Sequence, residues 1–404
     1  METVQSYDSG ALAQARPLEV GVPALTARQP RLASIDQMRG LVIALMALDH
    51  VRDYFSNAAF DATDLRHTTP ALFFTRWITH YCAPTFIFLA GVSARLLAQR
   101  VSRGQLQRFL LTRGVWLAVL EFTVVSFVWS FNFKYRMGLV MQVIWAIGMS
   151  MCALAGLVAL PAGVVGAIGA LMIAGHNLLD GIAPTIFGSW AALWNIVHVP
   201  GRTPFGAVLY PLVPWIGVIA LGYACGAVYA WPPARRRPAL LKLAGAACAA
   251  FVIVRWLNGY GDPAHWSSQR QAWLTVASFL NVTKYPPSLL YVLMTLGPAT
   301  GLLALFEHGV GRFGSVVETF GRVPLFAYVV HLALAHLLAG LIGLASGHGI
   351  TILANIFVFY PDAWGFGLGG VYAAWLFVLA LLYPLCVWFG ALKRRRSDWW
   401  LAYL

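Results

Sequence analysis

Residues 39–50 read R-G-L-V-I-A-L-M-A-L-D-H, an apolar run that begins with a cation and ends with a histidine. On an α-helix, the eleven positions from Arg39 to His50 bring both side chains back to nearly the same face, about 16 Å apart along the axis. Asp36 lies about 60° to one side of Arg39, and Asp53 lies about 40° to the other. The stretch therefore predicts an apolar helix with a narrow polar stripe. Ionisable groups in a membrane span are costly and by default indicate a functional site.

The composition of the whole chain indicates a membrane protein. Of its 404 residues, 59% are hydrophobic and 11% are charged, whereas an average soluble domain has about 25% charged residues. The net charge is +13, but the Arg and Lys residues cluster at the ends of apolar runs, as in the cytoplasmic loops of membrane proteins. The predicted partner is therefore the lipid bilayer, and no nucleic acid is expected.

Apolar runs of nearly bilayer-spanning length recur along the chain. They predict an all-α, polytopic membrane helix bundle of about ten transmembrane spans. Pro161 and Gly163 divide the run 140–179 into two spans, and residues 185–199 are expected to add a half-helix or an interfacial piece. The predicted spans are residues 38–56, 77–98, 112–131, 138–158, 161–178, 206–230, 239–257, 287–306, 322–345 and 367–391.

Three basic clusters predict the orientation of the bundle. They are residues 95–113 around the connection between the second and third spans, residues 235–237 after the sixth span, and residues 393–396 after the tenth. With ten spans, all three clusters lie on one side together with the N-terminus. The positive-inside rule then predicts cytoplasmic N- and C-termini and a multi-pass protein of the cell inner (plasma) membrane.

The same reading divides the chain into three parts. Residues 1–30 lack the apolar core of a secretory signal peptide, and we expect them to form a disordered cytoplasmic tail. Residues 31–396 are expected to form a single multi-span membrane domain, and residues 397–404 a short cytoplasmic tail.

The polar stripe of the first span supplies the candidate catalytic residues His50, Asp53 and Asp49. Imidazole is the side chain that accepts and returns a proton near neutral pH, so His50 is the leading candidate for a general base. Asp53, one turn on, is expected to orient the ring or to stabilise the imidazolium. Asp49 lies about 100° away in direction and is expected to contact a neighbouring helix. The alternative is that His50 makes only a hydrogen bond between helices.

Arg39 and Asp36, near the start of the same span, are the candidate cofactor-binding residues. A guanidinium group binds phosphate or carboxylate with two parallel hydrogen bonds, so Arg39 suits an anionic ligand. The alternative is that Arg39 extends its charge to the membrane surface.

Four further polar residues in apolar runs are weaker site candidates: His80, Glu121, Tyr328 and His331. A carboxylate as deep in a span as Glu121 must be paired, protonated or near water. A lone histidine on an apolar helix is more often structural than catalytic, and His336 is the least favoured. No metal is expected, because neither an H-x-x-x-H nor an H-E-x-x-H pattern occurs.

Four stretches of the sequence carry a resemblance to a known family. The stretch R-L-A-S-I-D-Q-M-R-G-L-V-I-A-L-M-A-L-D-H-V-R-D-Y-F (31–55) resembles the opening span of the heparan-alpha-glucosaminide N-acetyltransferase catalytic-domain family, in an uncharacterised bacterial branch. Residues 210–223 (Y-P-L-V-P-W-I-G-V-I-A-L-G-Y), 283–298 (T-K-Y-P-P-S-L-L-Y-V-L-M-T-L-G-P) and 321–332 (G-R-V-P-L-F-A-Y-V-V-H-L) resemble that branch too.

The spacing of eleven residues between Arg39 and His50 also resembles that of the first-span Arg and His in the wider transmembrane acyltransferase superfamily. In that superfamily the histidine is held to be the catalytic base and the arginine a required partner. The resemblance implies an acyl-CoA donor, usually acetyl-CoA, that arrives from the cytoplasm, and a sugar or glycan acceptor beyond the membrane. Tyr328 and His331 resemble a Tyr-to-His signature in a late span of the same superfamily.

The sequence departs from the lysosomal members of the family at the proposed histidine. Those enzymes place it after the first span, where the nearest counterparts here are His67 and His80. Neither residue fits the surrounding pattern well, so the acceptor and the mechanism cannot be copied from the glucosamine enzyme.

Two functions remain from the sequence. In the first, the protein is a membrane-bound acyltransferase in which Arg39 binds the CoA phosphates and His50 deprotonates a hydroxyl or amine. In the second, it is a transporter or flippase for a polar or lipid-linked solute that passes along the same stripe. Transporters commonly show inverted repeats and paired broken helices, and the sequence shows neither clearly.

Overall fold

A computed structural model describes residues 32–132, 138–309, 311–349 and 364–396, together with residues 398 and 401. Within them the chain forms an all-α polytopic bundle, as the apolar runs predict. The tail predicted at 1–30 lies outside the described residues, as does most of the one predicted at 397–404. The helices are α1 (Ala33–Phe55), α2 (Pro70–Thr79), α3 (Cys82–Ala98), α4 (Arg103–Leu120), α5 (Ser126–Ser130), α6 (Val143–Leu157), α7 (Ala162–Gly175), α8 (Ala191–Val197), α9 (Leu212–Cys225), α10 (Pro233–Leu257), α11 (Ala272–Leu280), α12 (Leu289–Phe306), α13 (Gly311–Gly321), α14 (Pro324–Ala345) and α15 (Leu368–Arg395).

Each of the ten predicted spans coincides with a helix in the described part of the chain. Eight helical segments there are long and apolar enough to cross a membrane. The first predicted span, α1, has sufficient length but carries five charged residues, and the fourth, α6, has only 15 residues. The eight segments are Pro70–Ala98, Arg103–Ser130, Ala162–Leu179, Leu212–Ala230, Pro233–Leu257, Leu289–Phe306, Pro324–Ala345 and Leu368–Arg395.

Short irregular elements complete the described fold. A π-helical turn, Glu121–Val125, joins α4 to α5. A 3₁₀ turn, Pro184–Trp190, leads into α8, so the segment 185–199 is helical in part, as expected. The three strands β1 (Leu139–Met141), β2 (Gly201–Thr203) and β3 (Gly206–Val208) pair in the order β1-β3-β2, parallel between β1 and β3 and antiparallel between β2 and β3.

Glycines allow the closest helix crossings. A Cβ atom added at Gly40 of α1 would overlap the carbonyl oxygen of Val317 in α13. In the same way, Cβ atoms on Gly91 of α3 and Gly222 of α9 would overlap backbone of the facing helix. Small residues at such crossings let membrane helices approach until their backbones touch. These contacts fix α1, which carries Arg39 and His50, and α3, which carries Ser93.

Replacing one of these glycines is expected to destabilise the fold. Gly222→Ala should lower the free energy of unfolding by about 1–3 kcal/mol, the usual cost of overpacking a filled site, and thermal melting in detergent measures it. Gly156→Ala is the matched control, because a Cβ atom there meets nothing within 4 Å. Equal melting temperatures for the two variants would contradict the assigned role of the α3–α9 crossing.

Side-chain contacts join three helices at one end of the bundle. At one end, Ser34 Oγ donates to Glu307 Oε1 at 2.6 Å, and Arg236 Nε donates to Glu307 Oε2 at 2.9 Å. These bonds join the start of α1, the end of α12 and the start of α10. We call this the basic end, since it holds the cluster 235–237, and we call the opposite one the far end. That the basic end faces the cytoplasm stays a prediction.

Candidate active site

A cavity of about 390 Å³ lies between α1, α3, α4, α6 and α14. Both Arg39 and His50 border it, so these two residues of the predicted stripe on α1 face a single cavity. Its volume is within the range of small-molecule sites, about 300–1,000 Å³. Apolar side chains form most of its wall. Its polar lining residues are Arg39, Asp49, His50, Thr79, Ser93, Arg113, Tyr210, Lys284 and Tyr328.

Arg39 is held toward the basic end of the cavity by two neighbours. Its Nη1 donates to Asp36 Oδ1 at 2.9 Å, and its Nη2 donates to Ser93 Oγ on α3. Asp36 is itself buried and does not border the cavity. The Asp36 carboxylate therefore positions the guanidinium of Arg39. Arg39 and Arg113 of α4 both border the cavity and can bind an anionic ligand there.

His50 is hydrogen-bonded to a histidine from a distant helix. Its Nδ1 lies 2.9 Å from Nε2 of His331 on α14, and the two ring planes are within 8° of parallel. Nδ1 of His331 in turn lies 2.8 Å from the carbonyl oxygen of Ala327. The structure thus brings His331, rather than Asp53, against the Nδ1 atom of His50.

This chain of hydrogen bonds assigns the tautomer of both rings. A carbonyl oxygen only accepts, so Nδ1 of His331 must carry the proton. In neutral His331 the Nε2 atom is then the acceptor, and Nδ1 of His50 must donate to it. The proton of neutral His50 is therefore on Nδ1, and its Nε2 carries the lone pair that a general base needs.

The two candidate carboxylates near His50 have other partners. Asp49 accepts from Arg76 Nη1 at 2.8 Å and from Thr79 Oγ1 at 2.9 Å, both on α2, in keeping with an expected contact to a neighbouring helix. Asp53 accepts from Arg52, the residue before it in sequence. Asp49 borders the cavity and Asp53 does not. The hydrogen bonds of Asp49 therefore fix α1 to α2.

The weaker candidates separate into cavity and scaffold residues. Tyr328 is buried, borders the cavity, and has its ring centroid 6.0 Å from that of His50. Glu121 is fully buried, and its Oε2 accepts from the backbone nitrogens of Ile144 at 2.9 Å and Trp145 at 3.0 Å. Because free N–H groups mark the start of a helix, this carboxylate caps α6.

The other histidines considered from the sequence lie apart from the cavity wall. His80 is buried against Tyr291, with ring centroids 5.6 Å apart. His67 is exposed, and hydrogen bonds from Arg66 and His67 hold the pKa of the Asp64 carboxyl well below its usual value. In the described part of the chain, His50 is the histidine that borders the cavity.

Sequence reasoning missed two cations near His50. Lys284 borders the cavity from the segment before α12, and a single cation before a span is usually a surface group. Arg76 directly precedes the span predicted at residues 77–98. The sequence does carry a signal for a helix that contains Arg76, namely Thr69 followed by Pro70. In the structure α2 begins at Pro70, and Thr69 Oγ1 accepts from the Leu72 nitrogen at 3.3 Å as an N-cap.

Comparison with known proteins identifies the family. Residues 31–257 match the family described as "Heparan-alpha-glucosaminide N-acetyltransferase, catalytic", which is more than half of the 404-residue chain. The chain belongs to this family. The resemblance stated from the sequence is therefore confirmed, and the chain is a multi-pass membrane protein of an acetyltransferase family. No curated protein matches the chain.

The family match covers only part of the site. It includes α1 and the stretch 210–223, and it ends at residue 257. The stretches 283–298 and 321–332 lie beyond it, and so does His331. The matched region 31–257 thus contains His50 but not its hydrogen-bond partner, His331.

Proposed function

We propose that this protein transfers an acyl group, in the simplest case acetyl, from acyl-CoA to a hydroxyl or amine of a sugar or envelope glycan across the membrane. One observation carries the proposal: a single cavity is bordered at one place by Arg39 and at another by His50, whose hydrogen bond to His331 leaves a lone pair on Nε2 of its neutral ring. The family supports membrane acetyltransferase activity in general. The proposed location is the inner membrane, with the basic end in the cytoplasm.

In this proposal the donor enters from the basic end. Arg39 and Arg113 bind CoA phosphate groups, since a guanidinium matches phosphate geometry. The basic clusters attract the polyanionic donor over a longer range. The thioester then lies in the apolar part of the cavity, where exclusion of water limits its hydrolysis.

The transfer itself requires one base. His50 Nε2 takes the proton of the acceptor O–H or N–H while the acceptor oxygen or nitrogen attacks the thioester carbonyl carbon. The new C–O or C–N bond forms, the C–S bond breaks, and the CoA sulfur leaves with the proton that His50 carried. Throughout, the Nδ1–H group of His50 donates to His331, which keeps the ring oriented. Acyl-CoA is the only cofactor that this scheme requires.

Donor binding tests the first half of the proposal. Purified protein in detergent should bind acetyl-CoA in calorimetric titration, and Arg39→Gln should weaken binding by about tenfold or more, the usual worth of a charge-assisted hydrogen bond. Arg66→Gln is the control, because Arg66 is exposed and pairs with Asp64, two residues before it in sequence.

Two outcomes would contradict the acyltransferase. One is an Arg39→Gln variant that melts like the wild type and binds acetyl-CoA with unchanged affinity. The other is solute uptake into proteoliposomes without any dependence on CoA, which is the result that a transporter or flippase predicts.

A further inference from the structure

Three metal-ligating side chains converge where α7 ends, apart from the cavity that holds His50. His176 begins the 3₁₀ turn after α7, Asp180 follows that turn, and His198 follows α8. One ligand atom of each residue lies within 4.8 Å of those of the other two. The His198 Nε2 and Asp180 Oδ1 atoms are 3.7 Å apart.

Both histidines are buried without ordinary hydrogen bonds. His176 is 2% exposed and His198 is 1% exposed. The carbonyl oxygens of Pro287 and Leu179 lie near these two rings, but no ring nitrogen of either makes a hydrogen bond of good geometry with a described residue. Buried polar atoms in native proteins are nearly always satisfied. One such nitrogen from each ring lies close to a carboxylate oxygen of Asp180, and this arrangement indicates a ligand between the three residues.

The donor set fits a transition-metal ion. Zinc binds imidazole nitrogen and carboxylate oxygen at about 2.0–2.2 Å in tetrahedral sites, which separates neighbouring donors by about 3.3 Å. The 3.7 Å separation between His198 and Asp180 is close to that value. Two histidines and one carboxylate also leave a fourth position for water, as in many three-ligand zinc sites.

The surroundings orient the carboxylate ligand. Asn177 Nδ2 donates to Asp180 Oδ2 at 2.7 Å, which leaves Oδ1 directed toward His198. The side-chain oxygen of Asn177 accepts from the backbone nitrogen of Leu289 at 2.9 Å, at the first turn of α12. Metal ligands are commonly held by hydrogen bonds of this kind, and nearby backbone carbonyls commonly accept the other ring N–H of a ligating histidine.

We propose that His176, Asp180 and His198 form a binding site for a divalent transition-metal ion, with zinc as the best match to the donor set. The ion joins the end of α7, the end of α8 and, through Asn177, the start of α12, so it stabilises the far end of the bundle. The site is independent of the proposed acyl transfer. This site was not predictable from the sequence, because a histidine four residues before an aspartate, followed by a histidine 18 residues later, matches no common metal motif.

Metal content tests the proposal directly. Full-length protein carrying a tag without histidine, purified in detergent, should hold about one Zn²⁺ per chain in mass-spectrometric metal analysis. His176→Ala and His198→Ala should each reduce that content at least tenfold. His265→Ala is the matched control and should keep it, because His265 is an exposed histidine outside the cluster. Equal zinc content in all four proteins would overturn the proposal.

A second measurement remains decisive if the histidine variants fail to fold. Asp180→Asn keeps the shape of the side chain and removes its charge. Chelator-stripped wild type should melt at a higher temperature after addition of one equivalent of Zn²⁺, since an ion that binds only the folded state stabilises it, and Asp180→Asn should respond several-fold less. Stripped wild type that melts at the same temperature with and without Zn²⁺ would refute the site.

Discussion

His50→Ala is expected to lower acyl transfer by a factor of about 10² to 10⁴, the usual contribution of a general base. Alanine has no atom that takes the proton of the acceptor, so the nucleophile must attack in its protonated form. The donor affinity should stay within about twofold, because the groups proposed to hold CoA are Arg39 and Arg113. Transfer of labelled acetyl from acetyl-CoA to envelope glycans, in membranes of expressing cells, measures the loss.

A second histidine variant separates loss of the base from general damage. His67→Ala removes an exposed ring that pairs with Asp64 and should transfer at the wild-type rate. His50→Ala should melt near the wild-type temperature, since His50 is only partly buried against the cavity. Full turnover by a well-folded His50→Ala variant would refute the assignment of the base.

The spans were predictable because a bilayer imposes a local rule on the sequence. Every backbone polar group in lipid must be satisfied within its own segment, so apolar length alone predicts a helix. The break predicted at Pro161 and Gly163 is confirmed, since α6 ends at Leu157 and α7 begins at Ala162. The meeting of Arg39 and His50 at one cavity was also accessible, because it depends only on the period of a single helix.

The partners of the polar residues were not predictable in the same way. Asp53 is one turn from His50 and was the natural choice to orient it, whereas the group at Nδ1 is His331, 281 positions away in sequence. Asp49 likewise pairs with Arg76 on another helix. Pairing between helices depends on how the bundle packs, and the spacing of residues within one helix carries no information about it.

Glu121 and the cluster of His176, Asp180 and His198 illustrate the same limit. A carboxylate inside a span must find a partner, but that the partner would be the start of α6 follows only from the packing of α4 on α6. His176 and His198 lie on opposite sides of a turn and a short helix, so their convergence is a property of the folded segment. The sequence showed that Glu121 required a partner but not which group supplies it.

Replacement of His331 should affect the reaction through His50. His331→Phe fills about the same space but offers no acceptor to the Nδ1–H group of His50. The His50 ring then has no fixed tautomer, and the imidazolium that forms when it takes a proton is no longer stabilised by a hydrogen bond. We expect kcat to fall by about 10² and the KM for acetyl-CoA to stay within about twofold, since a group that acts on the base alone affects the chemical step. His331 is a positioning residue in this account, because it reaches the reaction only through His50.

His331→Gln distinguishes positioning from mere packing. The side-chain oxygen of glutamine accepts a hydrogen bond, so this variant should recover at least about tenfold of the rate that His331→Phe loses. His336→Phe is the matched control, because His336 is also fully buried on α14 but its Nδ1 contacts the Val128 carbonyl oxygen at 2.8 Å. If His331→Phe and His336→Phe slow transfer equally, or if glutamine restores nothing, the hydrogen bond to His50 has no role in the reaction. The recovery by glutamine is the decisive result, because a purely structural histidine on this helix has no reason to be replaced better by an amide than by a ring of its own size.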